Sequence, residues 1–185
     1  MPPMRPRHPG RLLPLVLLAC IAAAPPPSPV QLLLGALQEA PDESTAAMLE
    51  ARLQDIWQHQ GSPAALLLVE HGTQALQRNA PGEATEDFDA ALALEPDYLT
   101  AFVDRAAARL AAGDSTAALQ DLAQALKREP HQFAALELLS RAAEARQDWK
   151  AALDAWQKLL AIDPKTTGGA KRLDTLREKA EGEPT

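Results

Sequence analysis

Four histidines, one cysteine and a few close acid clusters are the side chains in this sequence best equipped to do chemistry. A metal centre needs several His, Cys or carboxylate donors converging, commonly two of them one helical turn apart. His8, His59, His71 and His131 are widely separated, and no H-E-x-x-H pattern links any two. Covalent catalysis needs a thiol or hydroxyl beside a base. The lone cysteine, Cys20, falls in an N-terminal segment outside the fold, and no nucleophile-elbow pattern occurs. Glu86, Asp87 and Asp89 are close enough for acid–base work, but at helical spacing beside a turn they read as a solvated face. No G-x-G-x-x-G or P-loop is present to cradle phosphates. The expectation is a protein that is not an enzyme and has no cofactor and no metal.

What positions these side chains is a chain of 185 residues with a formal charge of −7, 46% hydrophobic and 4% aromatic residues. That length suits one domain or a short repeat array. A single Cys excludes an intrachain disulfide framework. The apolar fraction argues against wholesale disorder, and the acidic balance argues against nucleic acid as a partner.

Residues 1–24 read as an export signal. Arg5, Arg7 and Arg11 precede an apolar run from Leu12 to Ala24, which is too short to span a bilayer. Residues 25–29, Pro-Pro-Pro-Ser-Pro, read as a Pro-rich linker. Leu17-Leu18-Ala19-Cys20 looks like a bacterial lipobox, which would make Cys20 a lipidation site and the first mature residue. Ordinary cleavage within Cys20 to Ala24 is the other reading, since apolar residues continue beyond the Cys. Either way the protein is expected in the periplasm, soluble or lipid-anchored, touching membrane only through the signal or a lipid on Cys20. Removing residues 1–19, which hold three Arg and no acid, takes the charge to −10. Residues 30–98 carry all of that excess, while residues 99–185 balance. The acidic half is a solvated surface or a docking face for a basic partner.

The rest is organised by repetition. Ala90-Ala91-Leu92-Ala93-Leu94-Glu95-Pro96, Gln124-Ala125-Leu126-Lys127-Arg128-Glu129-Pro130 and Lys158-Leu159-Leu160-Ala161-Ile162-Asp163-Pro164 place their prolines 34 residues apart, twice over. Each unit reads as two amphipathic helices, A and B. In the middle unit, Asp97 to Ala111 is helix A, Gly113-Asp114 the turn and Ser115 to Lys127 helix B. Large residues recur early in helix A (Leu68, Phe102, Leu136) and in mid-helix B (Phe88, Leu122, Trp156). Small residues recur where the two helices should approach most closely: Gly72, Ala106 and Ser140 on A, and Ala84, Ala118 and Ala152 on B.

In these features the sequence resembles the tetratricopeptide repeat (TPR) family, across units 65–98, 99–132 and 133–166. Its Ala-rich style and export signal look like envelope TPR proteins of Gram-negative bacteria. It departs from the family where Ala75, Arg109 and Ala143 replace a late tyrosine and Asn79 replaces the turn glycine of the first unit. The resemblance implies an all-α, right-handed α-solenoid whose A helices line a concave groove for a protein or peptide partner. Its inward positions fall on Leu66, Val69, Thr73, Leu76 and Gln77, then Thr100, Val103, Ala107, Leu110 and Ala111, then Ala134, Glu137, Arg141, Glu144 and Ala145. The basic pairs that clamp a C-terminal carboxylate in some members are absent, with Val69, Thr73, Val103 and Ala107 in their place. Two functions follow: a non-catalytic scaffold or adaptor in the cell envelope, or a structural subunit whose array self-associates.

Flanking segments complete the array. Residues 30–60 read as a helical pair, Val30 to Glu39 and a second helix N-capped by Ser44 and running to about Gln60, covering the array's N-terminal end. Residues 167–181 read as a capping helix with Leu173 and Leu176 inward, followed by a loose tail at 182–185.

Arg105 and Asp121, sixteen residues apart, match His71 and Asp87 in the first unit and Leu139 and Ala155 in the third. The pair switches together from polar to apolar, which predicts an Arg105–Asp121 contact across the hairpin. Arg105→Leu alone should lower the melting temperature, and adding Asp121→Ala should largely restore it. Purely additive losses in this double-mutant cycle would contradict the contact.

Overall fold

The computed structural model describes residues 26–182. Residues 1–25, with the segment read above as an export signal and its Cys20, and residues 183–185 lie outside the described residues. Among the described residues there are nine helices and no strand: α1 (Pro29–Gln38), α2 (Glu43–Gln58), α3 (Pro63–Gln77), α4 (Pro81–Leu94), α5 (Leu99–Ala111), α6 (Ser115–Arg128), α7 (Phe133–Ala145), α8 (Trp149–Ile162) and α9 (Gly169–Glu181). The six helices from α3 to α8 form three A–B hairpins, α3/α4, α5/α6 and α7/α8.

The same hydrogen bonds recur at the 34-residue period. At the end of each A helix one residue takes a left-handed conformation: Asn79 (φ 58°), Gly113 (φ 84°) and Gln147 (φ 60°). Its N–H and that of the next residue bond back to the final turn: Asn79 to Leu76 and Ala80 to Ala75, Gly113 to Leu110 and Asp114 to Arg109, Gln147 to Glu144 and Asp148 to Ala143. These are three copies of the Schellman arrangement, which satisfies carbonyls that a helix end would otherwise orphan. Asp114 and Asp148 then cap the following helices through Ala117 and Ala151, while α4 starts instead with Pro81 at its first position.

The B-to-A turns repeat as well. The N–H groups of Glu95, Glu129 and Asp163 bond to Ala91, Ala125 and Leu159, and those of Tyr98, Gln132 and Thr166 bond back to the first three. This turn holds Asp97 and Tyr98 outside the helix, so α5 begins at Leu99 rather than Asp97.

Large side chains interlock with small ones between the helices. Gly72, Ala84, Ala106, Ala118, Ser140 and Ala152 are all buried, and Phe88, Leu122 and Trp156 lie buried against the A helices. A Cβ on Gly72 would fall 2.6 Å from the Phe88 ring, so no larger residue fits without separating α3 from α4. At the C-terminal end, α9 packs on α8 with Leu176 buried and Leu173 half-buried, and Trp156 donates its indole N–H to the Gly169 carbonyl at 3.0 Å.

Arg105 does meet Asp121, donating through Nε at 3.0 Å and Nη2 at 2.6 Å. Two partners join that the spacing did not reveal. Arg109 donates to Asp121 at 2.6 Å, and Arg105 reaches Asp89 of the preceding repeat at 2.6 Å. Asp121 is buried, so its removal strands Arg109 as well, and the Arg105→Leu/Asp121→Ala pair recovers less than a closed two-residue contact would.

The N-terminal segments depart from expectation. Ser28 and Gln31 form a capping box at the start of α1, and Pro29, read above as linker, is its first residue. Asp42, not Ser44, caps α2: its carboxylate accepts from the Thr45 N–H at 2.8 Å and from the Ser44 hydroxyl at 2.7 Å. An aspartate directly after Pro41 is free to take the extended conformation that a cap requires, whereas Ser44 lies one residue inside the helix. The pair also does not cover the N-terminal end of the array. Helix α1 packs against α8 and α2 against α5, so the hairpin crosses the array.

Gln147 holds a left-handed backbone that costs a residue with a Cβ about 1 kcal/mol. Gln147→Gly is expected to raise unfolding free energy by about that amount in denaturant titration, and Gly113→Ala to lower it by a similar amount.

Candidate functional site

The A helices pack on one another from repeat to repeat, α3 on α5 and α5 on α7, while each B helix packs on its own A helix and on the next one. The A helices therefore form the inner curve of the array, and the inward positions named above can be placed on it.

Thr73, in the C-terminal part of α3, and Thr100, Val103 and Ala134, near the N-terminal ends of α5 and α7, surround a cleft of about 280 Å³. They share it with Gln54, Trp57 and Gln58 of α2, and with Asp104 and Gln132. The α1–α2 hairpin thus occupies this half of the curve. Trp57 is buried with its ring 5.5 Å from that of Phe133, at the start of α7. Leu53 is buried one turn earlier. Tyr98 donates its hydroxyl to the Gln58 carbonyl at 2.6 Å, and Glu95 accepts the Ser62 N–H at 2.7 Å. At the far end Gln38 donates to the Ala161 carbonyl at 2.9 Å. Gly61 permits the crossing, since a Cβ there would lie 2.7 Å from the Tyr98 ring.

The other half of the curve is open. Ala107, Leu110, Ala111, Leu138, Arg141 and Ala145 line a cleft of about 210 Å³. Its floor is aliphatic and its charge comes from exposed Arg141, which has no ion-pair partner among the described residues. The remaining inward positions lie elsewhere. Val69 is buried, Leu66 half-buried, and Leu76 packs against the core. Gln77 faces the outer edge of the first repeat, on a polar cleft with His71, Gln74, Arg78, Glu83 and Asp87. Glu144 pairs with Arg172 of α9 and faces the capping helix. Glu137 stands near Glu50 of α2. The inward positions do not form one continuous groove: the curve is half covered and half open.

Sequence reasoning missed Gln54, Trp57, Gln58, Asp104, Gln132 and Leu138. One signal was available. The first repeat's outer edge is polar and needs no cover, which leaves Leu53 and Trp57 of α2 to find another surface.

No family model matches the chain. A TPR repeat-containing protein of Rhizobium etli is 28% identical over 145 residues, spanning 78% of this chain and 70% of its own length. Among solved structures, the Sgt2 TPR domain from Aspergillus fumigatus aligns over 68% of this chain and 87% of its own, at 27% identity and a TM-score of 0.61. The first TPR of Spaghetti, bound to an HSP90 peptide, aligns over 65% of this chain and 96% of its own, at 19% identity and a TM-score of 0.63. The fold is that of stacked TPR hairpins.

Asp104 lies partly buried where α2 crosses α5, and burial pushes its carboxyl up to about 7. A raised carboxyl pKa stabilises the fold fully at acid pH, and that stability is lost as pH rises through about 7. Asp104→Asn should therefore leave stability nearly unchanged near pH 4 and raise it by about 1–2 kcal/mol near pH 8, measured by urea unfolding at both pH values.

Proposed function

Starting from a chain that is a tetratricopeptide-repeat protein, we propose that it serves as a non-catalytic scaffold holding a segment of another protein against the inner curve of its array. The observation that carries this reading is the open cleft of Ala107, Leu110, Ala111, Leu138, Arg141 and Ala145, an aliphatic floor beside a cation that has no ion-pair partner among the described residues. Such a surface suits a peptide segment that places an aliphatic side chain next to a carboxylate. The Spaghetti TPR bound to an HSP90 peptide supports peptide binding by this fold.

The setting belongs to the same proposal. The basic and then apolar pattern of residues 1–24 supports export to the periplasm, with the protein soluble there or held on a membrane by a lipid on Cys20. The polar outer edge of the first repeat favours a scaffold over a subunit that stacks end to end on its own copies.

Leu110→Asp and Arg141→Glu test the cleft. Each should reduce capture of the partner from an envelope extract by at least about tenfold, with helicity unchanged by circular dichroism. Equal capture by both variants and the wild type would remove the cleft from the function.

A further inference from the structure

The covered half of the inner curve shows what kind of surface the array accepts, and the occupant comes from the chain itself. Helix α2 turns one face inward, Ala46, Glu50, Leu53 and Trp57, at spacings of four, three and four, and on this face Trp57 meets Phe133 and Glu50 stands near Glu137 of α7. Leu53 and Trp57 supply the buried apolar anchors. A four-residue turn, His59 to Ser62, ties this helix to the first repeat, so it competes for the surface at high effective concentration.

The docking also contains a flaw. Glu50 faces Asp163, which is fully buried between α8 and α9 and whose Oδ2 has no hydrogen-bond partner among the described residues. Thr166 and Glu137 are the other polar groups beside Glu50, from the α8–α9 turn and from α7. A half-buried and a fully buried carboxyl meet at this seam, with a third nearby and, among the described residues, no cation paired with them, which weakens a contact that is otherwise aromatic and aliphatic.

We propose that the α1–α2 hairpin is an internal ligand of the inner curve, and that the external partner includes an amphipathic helix with an aliphatic and an aromatic side chain four residues apart, which displaces it. This rests on the reading that the inner curve is the binding surface. The carboxyl seam sets the direction of control. Burial first, and Asp163 second, push the Glu50 carboxyl up to about 8. Its proton is therefore held by the docked state, and docking weakens as pH rises from Glu50's ordinary range through about 8.

The test uses the full chain and a labelled synthetic peptide spanning residues 43–58 with Glu50→Gln, so that the probe itself carries no proton linkage at that position. Binding is read by fluorescence anisotropy. Trp57→Ala in the protein, which loosens the hairpin, should tighten peptide binding about tenfold or more, because the competent state is more populated. Glu50→Lys in the protein sets an ammonium against Asp163 and Glu137 and should weaken binding below wild type. For the wild type, affinity should rise from about pH 5 to about pH 9, and Glu50→Gln in the protein should abolish that rise. A control peptide with Leu53→Ala and Trp57→Ala should not bind. If Trp57→Ala fails to fold, Glu50→Lys and the pH series still decide the matter.

Equal affinity of the wild type, Trp57→Ala and Glu50→Lys proteins for a peptide whose binding Val103→Asp abolishes would overturn the internal ligand and leave the inner curve as the binding surface. No binding to any of them, while hydrogen exchange shows α2 released in Trp57→Ala and the array protected, would overturn both.

Discussion

Each repeat depends on how closely two helices can cross. Where A and B helices meet, Gly72, Ala106 and Ser140 face Ala84, Ala118 and Ala152, and every one is buried. Phe88 lies so near Gly72 that a single added carbon would overlap its ring. That closeness turns each hairpin into a thin wedge. Wedges with small residues at the crossing let successive A helices touch while the B helices stay apart, and the inner curve follows from this. Cavity or overpacking changes at these six positions act on the whole array, since no hairpin buries its faces alone.

Much of this was legible because it is local and periodic. The prolines at 34-residue intervals, the small-residue positions and the coupled switch at Arg105/Asp121 all depend on residues at fixed separations in one chain, and repetition made each visible three times. Asn79 and Gln147 show the same rule from the other side. The turn geometry is set by the backbone bonds of the repeat, so it persists even where the residue there bears a Cβ. The reach of Arg105 to Asp89 and the joining of Arg109 were harder to see, since they depend on side-chain direction between repeats.

What escaped was the path of α1 and α2. Their apolar spacing states that they bury a face but not against what. Helices at a repeat end are ordinarily read as caps, yet here the first repeat presents His71, Gln74, Arg78, Glu83 and Asp87 outward and is self-sufficient. The deciding contacts link residues far apart in sequence, such as Gln38 with Ala161 and Trp57 with Phe133, and no short-range pattern encodes them. The inward list consequently divided. Part of it lies under α2, part stays open around Arg141, and Glu144 is claimed by Arg172 of the capping helix.

Function and control both depend on one placement, a helical pair laid across the inner curve of three stacked hairpins. Nuclear Overhauser contacts in the full chain measure it directly. The account predicts cross-peaks from the Trp57 indole to the Phe133 ring and from Tyr98 to the Gln58–Gly61 turn, where the ring and the chain are in contact. Cross-peaks that instead place Leu53 and Trp57 against the outer edge of α3 and α4, with Phe133 free of aromatic neighbours, would contradict it.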